Sequence, residues 1–147
     1  SVGGDACQLT YSAAFDEVVS RGQGGVGLVG DDDGDVLAGI ARPLKPGGRA
    51  AFSAFSAYFL LQHLEDFDAF DATSGVNTEV TEVRDPDGNV LAAQLHTSVF
   101  TPRELRLLCA AAGLAVDAIW SVTPGEYAQR VPDITHPEWL VIAHRPA

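Results

Sequence analysis

Hydrophobic and polar positions along the chain fall into short blocks whose spacing alternates between that of strands and that of helices. Phe15-Asp16-Glu17-Val18-Val19-Ser20 reads as a strand running into a glycine-rich bend. Val36, Leu37, Ile40 and Leu44 then recur at near-helical spacing behind the acidic run Asp31-Asp32-Asp33-Gly34-Asp35. Carboxylates ahead of such a stripe suit a helix N-terminus, through capping and the macrodipole. Pro43 falls in the last turn of that helix and would shorten or kink it. Pro46-Gly47-Gly48 stops the helix, and residues 49–55 read as a buried strand.

A second helix is better signposted. Thr101 is a cap, Pro102 sits where a missing N–H costs nothing, and Glu104 completes a capping box. Phe100 is placed to staple against Leu105, and Leu105, Leu108, Cys109 and Ala112 form one apolar stripe that Gly113 terminates. Leu114, Val116, Ala118, Trp120 and Val122 alternate as one strand face, and residues 139–143 form a last apolar strand. Between the halves, residues 58–64 predict a short helix. Val76–Arg84 and Val90–Phe100 flank the turn sequence Asp85-Pro86-Asp87-Gly88-Asn89, which predicts a β-hairpin. Its second strand separates Leu91, Ala93, Leu95 and Val99, the packing face, from Gln94, His96 and Ser98, the face toward water or a ligand.

Composition narrows the partners. The 147 residues suit one domain, which at that size buries roughly 70% of the surface its unfolded chain exposes. Nine basic against twenty acidic residues give a net charge of −11, which repels phosphate backbones, so no nucleic-acid partner is expected. The longest near-apolar stretch, residues 50–61, is too short to span a bilayer, and no secretory signal is visible. No membrane partner is expected. Cys7 and Cys109 have neither metal-ligand spacing nor a disulfide framework, which fits a reducing, cytoplasmic setting. The chain contains no methionine, so Ser1 reads as an internal position of a longer product or a trimmed start.

Strand, glycine bend, helix, Leu44-Lys45-Pro46-Gly47-Gly48-Arg49, strand, hairpin, capped helix, strand, strand: in that order the chain resembles the later part of a class I S-adenosylmethionine-dependent methyltransferase. Leu44 to Arg49 is similar to the junction before the fifth strand of that family, and Phe15-Asp16-Glu17-Val18-Val19 to its fourth strand. Thr101-Pro102-Arg103-Glu104-Leu105, through Ala112-Gly113-Leu114, resembles its F-T-x-x-E-L … A-G-F helix and following strand. The family's glycine-rich cofactor loop and ribose-binding acid belong to segments before Ser1. The resemblance implies an α/β fold: a partial Rossmann-like methyltransferase sheet, mostly parallel with an antiparallel last strand, and an inserted β-hairpin. Residues 1–147 would form a single domain in which 56–100 are an inserted, lid-like helix and hairpin.

It also implies site residues. Gly4-Asp5-Ala6 resembles the segment after the third strand, where an acid accepts from the adenine amino group; Asp5 reads equally as a solvated loop acid. Ser20, Arg21, Gly22 and Gln23 match the exit of the fourth strand, which faces the methionine part of the cofactor; a tight turn explains them as well. Gly22-Gln23-Gly24-Gly25-Val26-Gly27 also satisfies G-x-G-x-x-G, but the following helix waits until about Asp35 and about 20 residues on stand Ala41, Arg42 and Pro43 in place of a ribose acid, so a nicotinamide site is not expected. The Asp31 to Asp35 cluster lacks the glycine and distal glutamate of a calcium loop, so no metal is expected.

Methyl transfer to an already nucleophilic atom needs proximity and desolvation, not a dedicated base. For an oxygen acceptor His96 is the candidate base by type, weighed against a plain surface histidine. His63, His136 and His144 show no local constellation. Tyr58 and Tyr127 are candidate substrate walls, or packing residues. The expectation is methyl transfer to a small-molecule acceptor within a longer chain, with weak or absent S-adenosylmethionine binding by this chain alone. The alternative is a non-catalytic binding or assembly module. A homodimer, or pairing with a missing N-terminal segment, would cover the Phe15–Ser20 edge.

Overall fold

The structure, a computed structural model, describes residues 8–13, 15–20, 37, 41 and 44–147. Its elements are β1 (Gln8–Ala13), β2 (Phe15–Ser20), β3 (Arg49–Ser56), α1 (Ala57–Gln62), β4 (Asp68–Asp71), β5 (Val76–Arg84), β6 (Val90–Phe100), α2 (Pro102–Ala111), β7 (Ala115–Val122) and β8 (Glu138–His144). The strands form one sheet whose main path runs β4-β5-β6-β3-β8-β7, with β1 beside β6 and β2 beside β3.

Local chemistry explains the sharpest boundaries. The Thr101 side chain accepts from Glu104 N–H, the Glu104 carboxylate accepts from Thr101 N–H, and Pro102 opens α2. Phe100 and Leu105, which bracket that cap, are both fully buried in one cluster. At the other end Gly113 takes φ +82°, and Leu114 N–H donates to the Cys109 carbonyl while Gly113 N–H donates to that of Ala110. Those two bonds are a Schellman stop, closed by apolar contact between the residues at its ends. The Lys45-Pro46-Gly47-Gly48 turn is tied to the C-terminal end of the chain: Arg145 exchanges main-chain bonds with Gly47 and Gly48, and its guanidinium donates to the Leu44 carbonyl at 2.6 Å. A Cβ on Gly48 would sit 2.8 Å from the Lys45 carbonyl oxygen, so a side chain there is excluded.

The core lies on one face of β3, β8 and β7. Registers Ala54↔Trp139, Phe52↔Val141, Ala50↔Ala143 and Ile119↔Val141 put these residues side by side. Leu105 and Cys109 of α2 cover them, with helical Leu37 and Ala41, and Leu44, completing the cluster. The Trp139 indole N–H donates to the Phe100 carbonyl at 2.7 Å, which satisfies its polar end. On the opposite face Ala51, Phe55, Trp120, Leu140 and Ile142 are only half-buried.

β8 lies antiparallel between β3 and β7, which therefore run in the same direction, and β5–β6 is the inserted hairpin. The partial Rossmann-like arrangement is thus present, with its antiparallel last strand. The balance of strand directions differs from a mostly parallel sheet. Of the seven pairings among the described residues only β1–β6 and β3–β6 are parallel. The reason is connection length, since β4, β5 and β6 follow one another through short turns, and parallel neighbours need a long crossover. β2 also runs antiparallel to β3, pairing Val19 with Ala51 and Ser20 with Ala50.

A further expectation fails at β7. Leu114, Val116, Ala118, Trp120 and Val122 do not share one face, because the register shifts between Val116 and Ala118. The extra residue, Asp117, flips the alternation, so Val116 and Ile119 meet the core while Ala118 and Trp120 turn away.

Candidate functional site

The carboxyl ends of β3 and β6 and the amino end of β8 converge. Phe55 pairs with both Val99 and Glu138, and Glu138 also pairs with Val122 at the end of β7. In open α/β sheets this rim is where ligands bind, because the loops leaving the strand ends diverge there. Two segments build it: α1, which begins directly after β3, and residues 123–137, which join β7 to β8.

Ser56 caps α1, its hydroxyl accepting from Phe59 N–H at 3.2 Å, while its own N–H donates to the Pro137 carbonyl at 2.9 Å. The Gln62 amide donates to the Ile134 carbonyl at 2.7 Å, so α1 is bonded to the second segment at both of its ends. That segment is anchored in turn on Ser121, whose hydroxyl accepts from Asp133 N–H at 2.7 Å and donates to the Asp133 carbonyl. The Arg130 guanidinium donates to the Ser121 carbonyl.

Tyr58 stands on the rim, 40% exposed, with its ring edge-on to Trp139 at 6.0 Å. Tyr127, on the β7–β8 segment, is 46% exposed, and Ile134 is 53% exposed. The rim therefore presents aromatic and aliphatic surface to solvent, the kind of wall an apolar small molecule needs.

His96 lies within β6, partly buried, its Nδ1 2.9 Å from the Thr78 hydroxyl across the hairpin. Ser20 stands opposite Ala50, near the start of β3, and so at the other end of that strand from Ser56 and Tyr58. Six residues of extended chain put that separation at about 20 Å. The antiparallel course of β2 is the cause. Asp5, Ala6, Arg21, Gly22 and Gln23 lie outside the described residues, as do the Gly22 to Gly27 loop, the Asp31 to Asp35 run, Pro43 and Cys7.

Two histidines do have constellations. His136 Nδ1 is 2.7 Å from Asp133 Oδ1, on the rim. His144 Nδ1 is 2.8 Å from Asp117 Oδ1, at the far end of the sheet, where β8 ends beside the β7 bulge. His63 closes α1, its Nδ1 bonded to the Phe59 carbonyl and its ring stacked on Phe59 at 4.1 Å. The His136 hydrogen bond, then the Thr135 N–H, hold the Asp133 carboxyl below the usual carboxylate range. Cys109 is free and fully buried, and desolvation pushes its thiol up to about 11. Among the described residues no group of three or more His, Cys, Asp or Glu is placed to hold a metal ion, and no helix is long and apolar enough to cross a membrane.

Comparison with solved structures bears on the whole arrangement. The chain is similar to the CcbJ methyltransferase from Streptomyces caelestis, at 18% identity and a TM-score of 0.58 over 78% of this chain. It is similar also to an S-adenosylmethionine-dependent methyltransferase from Clostridium acetobutylicum, at 15% identity and a TM-score of 0.54 over 78% of this chain. The fold is that of the class I methyltransferases. At these identities the likeness is one of fold. The chain spans about half the length of both structures, 50% of the first and 53% of the second. No protein-family profile matches the sequence, and no curated protein matches it significantly.

At this rim the Ser56 hydroxyl accepts from Phe59 N–H, the Ser121 hydroxyl is bonded to Asp133, Asp133 Oδ1 takes His136 and Thr135, and the buried Glu138 Oε1 has no hydrogen-bond partner among the described residues.

Proposed function

We propose that the chain is the acceptor-binding part of an S-adenosylmethionine-dependent methyltransferase that acts on a small molecule as part of a longer polypeptide. The observation that carries this reading is the methyltransferase fold, with an exposed aromatic and aliphatic rim at its carboxyl end. The share of the matched structures that the chain spans supports a longer whole. The sulfonium cofactor supplies an electrophilic methyl group when bound. What these residues contribute is a wall: Tyr58, backed by Trp139, and Tyr127 hold an acceptor, and the inserted helix and hairpin of residues 56–100 serve as a lid over it. His96 faces the hairpin's polar side as a candidate base. Asp5, Ala6, Arg21, Gly22 and Gln23 remain the candidates for cofactor contact, while Ser20, opposite Ala50, stands at the end of β3 away from this rim. The acidic surface argues against nucleic acid as the acceptor.

A second reading is a binding or assembly module without catalysis, favoured by the engagement of Ser56, Ser121 and Asp133 Oδ1 in bonds within the chain. Incubating the longer polypeptide with S-adenosylmethionine labelled in its methyl group, and a panel of small hydroxylated and aminated aromatics, separates the two. Label in a low-molecular-weight product is the expected result. A cofactor-loaded polypeptide that transfers no label to any of them favours the module.

A further inference from the structure

We propose that His136 is the proton acceptor for a hydroxyl-bearing acceptor molecule at this rim, with Asp133 as the residue that positions it. The inference rests on the reading of the rim as an acceptor site, and adds the chemistry of the acceptor atom.

The pair is built, not incidental. Asp133 Oδ1 takes His136 Nδ1 at 2.7 Å, Thr135 N–H at 2.9 Å and the Thr135 hydroxyl at 3.1 Å. The Thr135 hydroxyl also lies 3.2 Å from His136 Nδ1. The main chain of Asp133 is fastened to Ser121 at the end of β7 by two bonds to one hydroxyl. A carboxylate can only accept, so the imidazole proton sits on Nδ1 and the lone pair on Nε2. Nε2 has no hydrogen-bond partner among the described residues, and the His136 side chain is 25% exposed. An oriented imidazole, with its basic nitrogen free and a carboxylate behind it, is the arrangement that takes a proton and is stabilised once it has done so.

Placement separates this histidine from the others. Pro137, the next residue, bonds through its carbonyl to Ser56, the cap of α1, and Ile134, two residues before, bonds to Gln62. His136 is thereby fixed against the helix that carries Tyr58. His144 has a similar carboxylate partner but stands at the opposite end of the sheet, and His96 has only a neutral hydroxyl behind it. An amine acceptor already offers a lone pair and needs no such group, whereas a hydroxyl does. In the proton step the acceptor O–H bond breaks, its electron pair stays on oxygen, and the proton forms an N–H bond at Nε2, leaving an imidazolium beside Asp133.

The probe is 4-nitrophenol, whose phenolate form absorbs in the visible, added to the full chain with ¹⁵N-labelled histidine rings. Saturation is expected to move the His136 Nε2 resonance toward its protonated position and to raise nitrophenolate absorbance over that in buffer at the same pH. 4-Nitroanisole, which has no proton to give, should leave Nε2 unmoved. His136→Gln, with an otherwise unchanged amide spectrum, should abolish the absorbance rise. Asp133→Asn should lower it severalfold and shift the ring toward the Nε2–H tautomer. Nitrophenol that perturbs Tyr58 and Tyr127 but leaves Nε2 untouched would overturn the assignment while sparing the acceptor-site reading. Nitrophenol that perturbs none of the three would overturn both.

Discussion

The two halves of the sheet are held together by different means. In β3, β7 and β8 the stabilising contacts are apolar: Phe52, Trp139, Val141 and Val122 are fully buried, and Leu105 and Cys109 of α2 close over the first three. In β4 and β5 the single buried residue is Asn77, while Val80 and, across the hairpin, Val90 stand about half exposed at 51% and 48%. What orders that region is carboxylate chemistry at its turns. Asp85 accepts from Asp87 N–H, Asn89 N–H and the Asn89 amide, Asp71 from Thr73 N–H and the Ser74 hydroxyl, and Asp68 from Glu65 N–H and the Asn77 amide. Hydrogen bonds exchanged with water contribute about 1 kcal/mol each, and less where exposed, whereas a buried aromatic contributes several. Among the described residues β3, β7 and β8 therefore carry most of the buried apolar surface, and β4 and β5 carry little of it.

The largest expected contrast follows from truncation. Phe52→Ala should cost about 3–5 kcal/mol in denaturant unfolding, since the site lies under a helix and cannot collapse. Val80→Ala should change stability by less than about 0.5 kcal/mol, as surface substitutions do. Comparable losses at both positions would erase the distinction. Hydrogen exchange sharpens it: residues 76–98 are expected to exchange faster than residues 49–55, because the hairpin opens without disturbing the core. Equal protection would argue that the hairpin is no lid.

A smaller effect belongs to the apolar half alone. The Cys109 thiol is raised in the folded chain, so the native state keeps its proton where the unfolded chain loses it. Its contribution is fully present below the ordinary thiol value of 9.0 and is lost as pH rises through about 11. Stability should fall over that alkaline window, and a Cys109→Ala chain should show a shallower fall. Native Cys109 should also resist alkylation at neutral pH. Rapid labelling of the folded chain would mean that the α2 face is open.

The smallest effect concerns edges. Among the described residues β2 pairs with β3 along one side, and Val18 and Val19 favour strand pairing that Asp16 and Glu17 oppose. Weak self-association is the expected outcome, visible as a rise in light-scattering mass across a concentration series. A strict monomer at high concentration would contradict an available edge.

Legibility divides along the same line, though not in the expected direction. α2 was readable because its cap, staple and stop are all local: Phe100, Thr101, Pro102, Glu104 and Gly113 each act within a few residues. The hairpin was readable too, since Asp85 to Asn89 dictate the turn whatever surrounds it. What eluded sequence reasoning was set at a distance. The direction of β2 depends on where β3 and β6 diverge, the flip at Asp117 on the β8 register, and the His144–Asp117 pair on both strands at once. β1 and β4 carry weak patterns, Gln8 to Ala13 mixing polar and apolar residues and Asp68 to Asp71 ending in carboxylates. The His136–Asp133 pair is different. Asp133-Ile134-Thr135-His136 holds a carboxylate, a hydroxyl and an imidazole within one turn, a local signal that was present to be read.

On the function proposed above, this chain is the acceptor side of a methyltransferase fold whose cofactor contacts lie largely elsewhere. Calorimetric titration of S-adenosylmethionine into the 147-residue chain tests it most directly. Each buried ligand hydrogen bond left unmade costs roughly 1–3 kcal/mol, so affinity weaker than about millimolar is expected. Micromolar binding would contradict the claim, because the chain would then hold a complete cofactor site of its own.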